Sequence, residues 1–345
     1  MRKGAPTARN ESGGSASGEC TTRRSSKGYD PDVDPADPQP DFGVVVTIVS
    51  GADSVRECLQ ALRHACAGRD VDIVVPVERE RPDVAVLAAE FDEVRFLDIG
   101  PIDAEVSGDD PCAEHARYDI RRAAGLRRVR GRLIVMLEDH GIPSTDFFAA
   151  AENAWRRSDA GAIGGVVACD AGDGIRAAAW ILDFSRHLPN ARPGSSDVLT
   201  DVNVTFRKEN IDAVAPTWRA GYHEPRVHAA LAGRGGLLRD PAMRIAQRRP
   251  PMSAGAYLGE RWRWGRHFGR GRDVGGTSVR IAAAVIAMVG SPAFGIRALV
   301  RAGFASRTLR AAPWVIVGAV AWGIGEAAGL LDARPERARQ SFTDA

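Results

Sequence analysis

The sequence predicts an α/β fold: a mostly parallel sheet with helices on both faces, followed by apolar C-terminal helices. Three observations carry this. The runs "VVVTIVS" (44–50), "VDIVVPV" (71–77) and "VRFLDI" (94–99) are short, continuous and rich in β-branched residues, the pattern of strands buried on both faces. Helical periodicity fills the intervals, and strand–helix–strand repetition favours parallel pairing under two helical layers. Two long apolar stretches, 281–296 and 313–331, then follow.

The chain has 345 residues, enough for one large domain or two ordinary ones with a real core. A formal net charge of +2 sets up no global field directed at nucleic acid. The five cysteines (Cys20, Cys58, Cys66, Cys112, Cys169) form no CxxC, which predicts reduced thiols and a cytosolic compartment. No apolar core of a secretory signal marks the N-terminus.

Residues 1–42 are Ser-, Gly- and Arg-rich and end in an acidic, Pro-rich run, too poor in apolar surface to offset the entropy of ordering. They are expected to be a disordered tail. After the first strand, Ser54 and Glu57 have capping-box spacing, and Val55, Cys58, Leu59 and Leu62 recur at helical spacing. After the third strand an Arg-rich helix is expected over roughly 113–130.

It leads into "RLIVMLEDHGIP" (132–143), where a buried strand ends in Glu138, Asp139 and His140. Polar residues collect at wet strand ends; three oxygen and nitrogen donors at a sheet mouth also describe a metal site. The triplet alone does not choose. Its position does matter, because ligands of parallel sheets sit at the carboxyl ends of the strands. No GxGxxG follows the first strand and no GxxxxGK[ST] occurs, so neither a Rossmann dinucleotide site nor a P-loop is supported.

The run "RAAGLRRVRGRLIVMLEDHGIP" (122–143) resembles the central signature of family 2 glycosyltransferases, which have the GT-A (nucleotide-diphospho-sugar transferase-like) fold. Arg122, Gly125, Gly131, the apolar strand, the acidic triplet and Pro143 fall in the family's order. The resemblance extends through "IGGVV" (163–167), "DVNVTFRKENI" (201–211) and "HEPRVHAALAGRG" (223–235), covering roughly residues 43–250. It departs in two places. The triplet is Glu-Asp-His where the family has Asp-x-Asp, and the second strand ends in Pro76-Val77-Glu78 where the family has "VDDGS". Glu78 either replaces the carboxylate that binds the nucleotide base or is a loop residue.

The resemblance implies a transferase that moves a sugar from a nucleotide-diphosphate donor to a glycan or lipid-linked acceptor. It implies donor contacts by Asp53, Glu78, Arg122, Glu138 and Asp139, and acceptor contacts by Asn203 and Arg207. Charge that builds on a leaving diphosphate calls for a divalent cation as Lewis acid. Asp139 and His140 are the candidate ligands; an imidazole shifts preference from Mg²⁺ towards Mn²⁺. Asp197 and Asp201 are expected to be loop caps. A base must take the acceptor proton, and Glu224 is the candidate. Pro225 suits a first helical turn, which puts Glu224 near a helix N-terminus that stabilises its anion; a simple helix cap is the other reading.

"HEPRVH" mimics a zincin motif, but its second His falls at i+5 and not at i+4. Cys112 and His115 are read as helix surface. "ERWRWGRHFGRGR" (260–272) interleaves aromatics with Arg and leaves two readings: a nucleic-acid-binding module, or a basic helix at anionic headgroups. The expected organisation is a tail (1–42), a GT-A domain (43–272) and membrane-associated apolar helices (273–345). These helices are expected to lie on the inner face of the cell membrane, with Gly290-Ser291-Pro292 interrupting the first. Arg297, Arg301, Arg307 and Arg310 would occupy the translocated loop of a spanning hairpin, which the positive-inside tendency disfavours. The expected function is that of a metal-assisted glycosyltransferase of the cell envelope that binds no nucleic acid. A catalytically inactive nucleotide-sugar-binding relative is the alternative.

Overall fold

A computed structural model describes residues 39–102, 111–170, 172–272, 274–303 and 305–332. The expected tail falls, up to residue 38, outside the described residues. In chain order the first half contains β1 (Phe42–Thr47), α1 (Ala52–Ala65), β2 (Val71–Val77), α2 (Pro82–Ala85), β3 (Val94–Asp98), α3 (Pro111–Arg128) and β4 (Leu133–Glu138). Next come β5 (Gly141–Pro143), α4 (Phe147–Arg156), β6 (Ala162–Cys169), α5 (Gly174–Asp183), β7 (Gly194–Ser195), β8 (Asn203–Arg207) and α6 (Lys208–Ala213). The remainder is α7 (Glu224–Ala232), β9 (Leu237–Gln247), α8 (Ala254–Gly271), α9 (Thr277–Ala302) and α10 (Ser306–Asp332).

The fold is the predicted one: a curled, mostly parallel sheet with helices around it and two apolar C-terminal helices. Strands run in the order β3-β2-β1-β4-β8-β6-β9-β5, with β7 on β9. The first four are mutually parallel, and β8 is antiparallel to both β4 and β6. Alternation along each strand feeds two cores. Val44 and Val46 pack with α1, α4 and α5; Val45 and Val74 pack with α3, α6 and α7. That is why β1 reads as continuous apolar sequence: neither face is wet.

The chain leaves β1 towards β2 and β3, then returns through α3 to β4 on the other side. Thr47 pairs with Glu138 at the carboxyl ends of β1 and β4. This reversal opens the crevice in which such sheets hold ligands. At the opposite, amino ends of β1 and β4 the close pairing depends on Gly131, whose φ of +145° and close approach to Gly43 exclude a side chain: a Cβ would lie 2.3 Å from Gly43 N.

Helix α1 buries Val55, Cys58, Leu59 and Leu62, as its periodicity predicts. Its start differs from the expected capping box. The helix begins at Ala52, so Ser54 already lies in the first turn, and the N-cap residue Gly51 makes no side-chain cap. The turn before the helix is instead held by a distant residue, Asp139, which accepts from Val49, Ser50 and Gly51 N.

Helices α8 and α10 approach through glycine. A Cβ on Gly265 or Gly269 would meet the carbonyl oxygens of Trp322 or Glu326 at 2.2 Å, and Gly325 and Gly329 reciprocate against Trp262 and Arg266. Small residues at i, i+4 allow such backbone contact. Helix α9 packs through Ala284, Ser291, Gly295 and Ala298 and continues unbroken through Pro292, contrary to the expected interruption. The α9–α10 turn is tied to the body: Asn190 Nδ2 donates to Arg301 O at 2.7 Å, and Arg307 donates to Cys169 O at 2.6 Å.

Candidate functional site

A cavity of about 560 Å³ lies at the carboxyl ends of β1 and β4, roofed by α8 and α10. Its walls include Arg122, Glu138, His140, Asp201 and Glu224. These residues come from α3, the end of β4, the approach to β8, and the first turn of α7.

The triplet divides between two sides. Glu138 and His140 line the cavity, whereas Asp139 is fully buried beneath it. Asp139 Oδ2 accepts hydrogen bonds from Val49, Ser50 and Gly51 N at 3.0, 2.8 and 3.0 Å. One carboxylate oxygen thus holds the β1–α1 turn at the positive end of α1. The expectation that Asp139 is a metal ligand and donor contact therefore meets a different geometry: its engaged oxygen faces the turn.

His140 sits between carboxylates, with Nε2 3.0 Å from Glu138 Oε2 and Nδ1 3.3 Å from Asp139 Oδ1. Burial alone would lower its pKa, but contact with Asp139 and Glu138 more than offsets this and raises it to about 9. Its Nδ1 also lies 3.3 Å from Ser50 Oγ.

Arg122, almost wholly buried, pairs with Asp201 at 2.7 Å, Glu138 at 2.8 Å and Asp119 at 3.5 Å. Asp201 is next to Glu224, whose Oε2 accepts from Asp201 N at 3.4 Å. The two carboxyls are driven apart. Burial first and then the Asp201 charge push Glu224 well above the carboxylate range. Burial would raise Asp201 too, but Arg122 holds it below its ordinary value. One carboxyl keeps a proton where its neighbour stays ionised. His228, with Nδ1 3.9 Å from Glu224 Oε1, is pushed down to about 4 by burial and stays neutral.

Four expected site residues lie elsewhere. Glu78 is buried with both oxygens held by Arg121, which also donates to Ile48 O, so it presents no carboxylate to the cavity. Asp53 is on the outer face of α1, almost fully exposed, and pairs with Arg56. Asn203 is buried within the sheet, where Nδ2 donates to Val166 O at 2.9 Å and Met243 O at 3.1 Å. Arg207 pairs with Leu133 at the opposite end of β4, because β8 runs antiparallel and carries its last residue away from the cavity. There Arg207 binds Trp155 O and Ser158 O.

Sequence reading missed Asp201, taken for a loop cap; its place directly before the strand containing Asn203 was the available signal. It also missed Tyr118 and His115, which line the cavity one and two helical turns before Arg122. In the Arg–Trp segment, Arg261 is buried and paired with Asp183 at 2.5 Å and Glu260 at 2.7 Å. Trp264 stacks edge-on against His115 at 4.7 Å, while Trp262 points outward. The segment splits between inside and outside and offers no continuous base-stacking face.

Among the described residues no group of three or more His, Cys, Asp or Glu side chains has metal-holding geometry. Hard cations at phosphate-transferring sites commonly take only one or two protein donors, completed by substrate oxygens and water. Glu138 and His140 fit that smaller set: both face the cavity, and buried His140 Nε2 has an ion-pair contact but no hydrogen-bond partner.

No family model matches the chain, and no curated protein does. Among solved structures it is similar to the mannosyltransferase PcManGT from Pyrobaculum calidifontis, solved in complex with GDP-Man and Mn²⁺. That match has 15% sequence identity and a TM-score of 0.45, and covers 85% of this chain and 74% of the other.

Proposed function

We propose that the chain is a GT-A glycosyltransferase of the family 2 type, moving a sugar from a nucleotide-diphosphate donor to a glycan or lipid-linked cell-envelope acceptor. The observation that carries this reading is the split carboxyl pair Asp201–Glu224 beside Arg122, facing Glu138 and His140 across one cavity at the sheet's switch point. Arg122 gives the cavity a positive group for a diphosphate, and Glu138 and His140 reach the same space from the end of β4. The acceptor oxygen attacks the anomeric carbon, the bond from that carbon to the diphosphate oxygen breaks, and Glu224 receives the hydroxyl proton. A raised carboxyl is a stronger base once ionised. Asp201, held ionised by Arg122, adds to the burial that raises that pKa, and its backbone N–H holds the Glu224 carboxyl in place.

A divalent cation, Mg²⁺ or Mn²⁺, would be held by Glu138 and His140 and would supply Lewis-acid neutralisation of the leaving diphosphate. Only a neutral imidazole ligates metal, so affinity should rise with pH until about 9. Asp139 acts as a positioning residue, fixing the turn that carries Ser50.

The C-terminal helices are proposed to lie on the inner face of the cell membrane. Both exceed the length and hydropathy of a span, but composition alone also fits core helices. The docked α9–α10 turn favours a surface-lying pair: a spanning hairpin would have to translocate the segment that Asn190 and Cys169 hold. An inactive nucleotide-sugar binder is the second reading, favoured by the engaged carboxylates of Glu78 and Asp139.

Calorimetry with UDP-, GDP- and dTDP-sugars, with and without Mn²⁺, tests the proposal. Saturable binding of one donor, strengthened by Mn²⁺, is expected. Absence of binding across the panel would remove the transferase and the inactive binder together; binding without turnover on any acceptor extract would leave the binder.

A further inference from the structure

Beside the candidate site is a second cavity of about 570 Å³, bounded by α8, α9, α10 and the end of α5. Asp183, Arg261 and Trp322 line both cavities and form the partition between them. On its other side the second cavity reaches the outer surface of α9. Ile286 and Phe294 line it and are 69% and 50% exposed.

The charged groups in this wall satisfy one another. Arg272 pairs with Glu326, and Asp183 pairs with Arg249 and Arg261. Ser291 Oγ donates to Met288 O at 2.9 Å. What remains for an occupant is hydrocarbon: Phe268, Ile286, Ala287, Phe294, Ala319 and the Trp322 ring. An occupant must therefore be apolar along this length. It must also be polar at the end that enters the first cavity, where Arg122, Glu138 and Glu224 stand.

We infer that this groove takes the hydrocarbon chain of an amphiphilic acceptor, whose polar head then reaches the candidate site past Trp322. The inference rests on the transferase reading and narrows its acceptor to the lipid-linked class. Entry is from the exposed α9 face, a stripe that includes Val285, Ile286, Val289 and Phe294. A chain passing from a bilayer into the groove stays in contact with apolar surface throughout, so no methylene is exposed to water on the way.

The test uses the full chain and terminally brominated octyl, decyl and dodecyl β-glucosides below their micellar concentrations. Bromine quenches tryptophan at contact, and the Trp322→Phe variant identifies the signal from Trp322. Affinity should rise about fourfold per methylene, equivalent to ~0.8 kcal/mol. Gly290 lines the groove with open space where a Cβ would stand, so Gly290→Phe should fill it without disturbing α9. Ala287→Phe fills it from the preceding turn. In both variants Trp322 quenching should fall at least tenfold while nucleotide-sugar binding is unchanged.

Quenching that is independent of chain length, or undiminished in both filled variants, would overturn the groove. So would a concentration-dependent dimer, abolished by Gly290→Phe, that shields Trp322 from the probes; the occupant would then be a second copy of the chain. The donor panel keeps the two readings apart. Donor binding without chain-length dependence defeats the groove alone, and chain-dependent quenching without donor binding defeats the transferase and with it the acceptor role, leaving a lipid-binding groove.

Discussion

In β1 and β4, Val44, Val45 and Val135 are fully buried, shared between two cores. In α9, Val285, Val289 and Val300 are 48–74% exposed, although the residue type is the same. The body completes its burial within the chain; α9 does so only along the small-residue seam that meets α10. Apolar composition therefore marks two different things in this molecule. In the body it records a finished core, and on α9 it records a face left exposed among the described residues.

Substitutions can sharpen that contrast. The largest effect is expected inside the body's cavity. Glu224→Gln should lower turnover ~10²–10⁴-fold with donor affinity nearly constant, measured by initial rates and calorimetry. The wild-type rate should rise with pH through a value above the ordinary carboxylate range, because the base works ionised and its pKa is raised. The acid limb should disappear in the variant; near-native turnover would reduce Glu224 to a helix cap.

Arg122→Met comes next. It leaves Glu138 and Asp201 buried without their shared cation, a loss of ~3–5 kcal/mol when one partner of a buried pair is removed. Urea unfolding measures it, and a loss under 1 kcal/mol would mean that water or movement rescues the carboxylates.

Within the helical region two glycines should behave oppositely. Gly265→Ala places a methyl 2.2 Å from Trp322 O, so α8 and α10 must separate, at about 1–3 kcal/mol. Gly290→Ala meets open space and should stabilise by ~0.5–1 kcal/mol through helix propensity. Thermal melts of the pair decide whether the α8–α10 contact is as close as described.

The smallest stability effect belongs to the outer face of α9. Val289→Ser should change folding stability by no more than ~0.5 kcal/mol yet weaken co-sedimentation with anionic vesicles. A large loss of stability with unchanged vesicle binding would place Val289 in a protein contact and end the contrast between the two regions.

The sheet was readable because its strands are uninterrupted apolar runs and α1 carries an amphipathic period; Val55, Cys58, Leu59 and Leu62 are buried as spaced. The start of α1 was not, since the turn before it is held by Asp139, 88 positions after Gly51 in the chain, and no local pattern reports a partner so distant. Site legibility followed the same line. Glu138, His140, Arg122 and Glu224 reach one cavity because each stands at the end or on the face of a regular element. Asp53, Glu78, Asn203 and Arg207 do not, for reasons invisible in one dimension: a helix face, a buried arginine and a strand's direction. The break expected at Pro292 failed because α9 accommodates the proline without ending.

The two hydrogen bonds from Asn190 and Arg307 that fasten the α9–α10 turn have a mechanical consequence. They tie the end of the exposed helix to the α/β body, and the glycine contacts tie α10 to the helix that roofs the cavity. With α9 resting on a bilayer, the cavity mouth would stand at a set height above the hydrocarbon. The protein would then work as a ruler, selecting acceptors by the distance between head and tail as much as by the chemistry of the head.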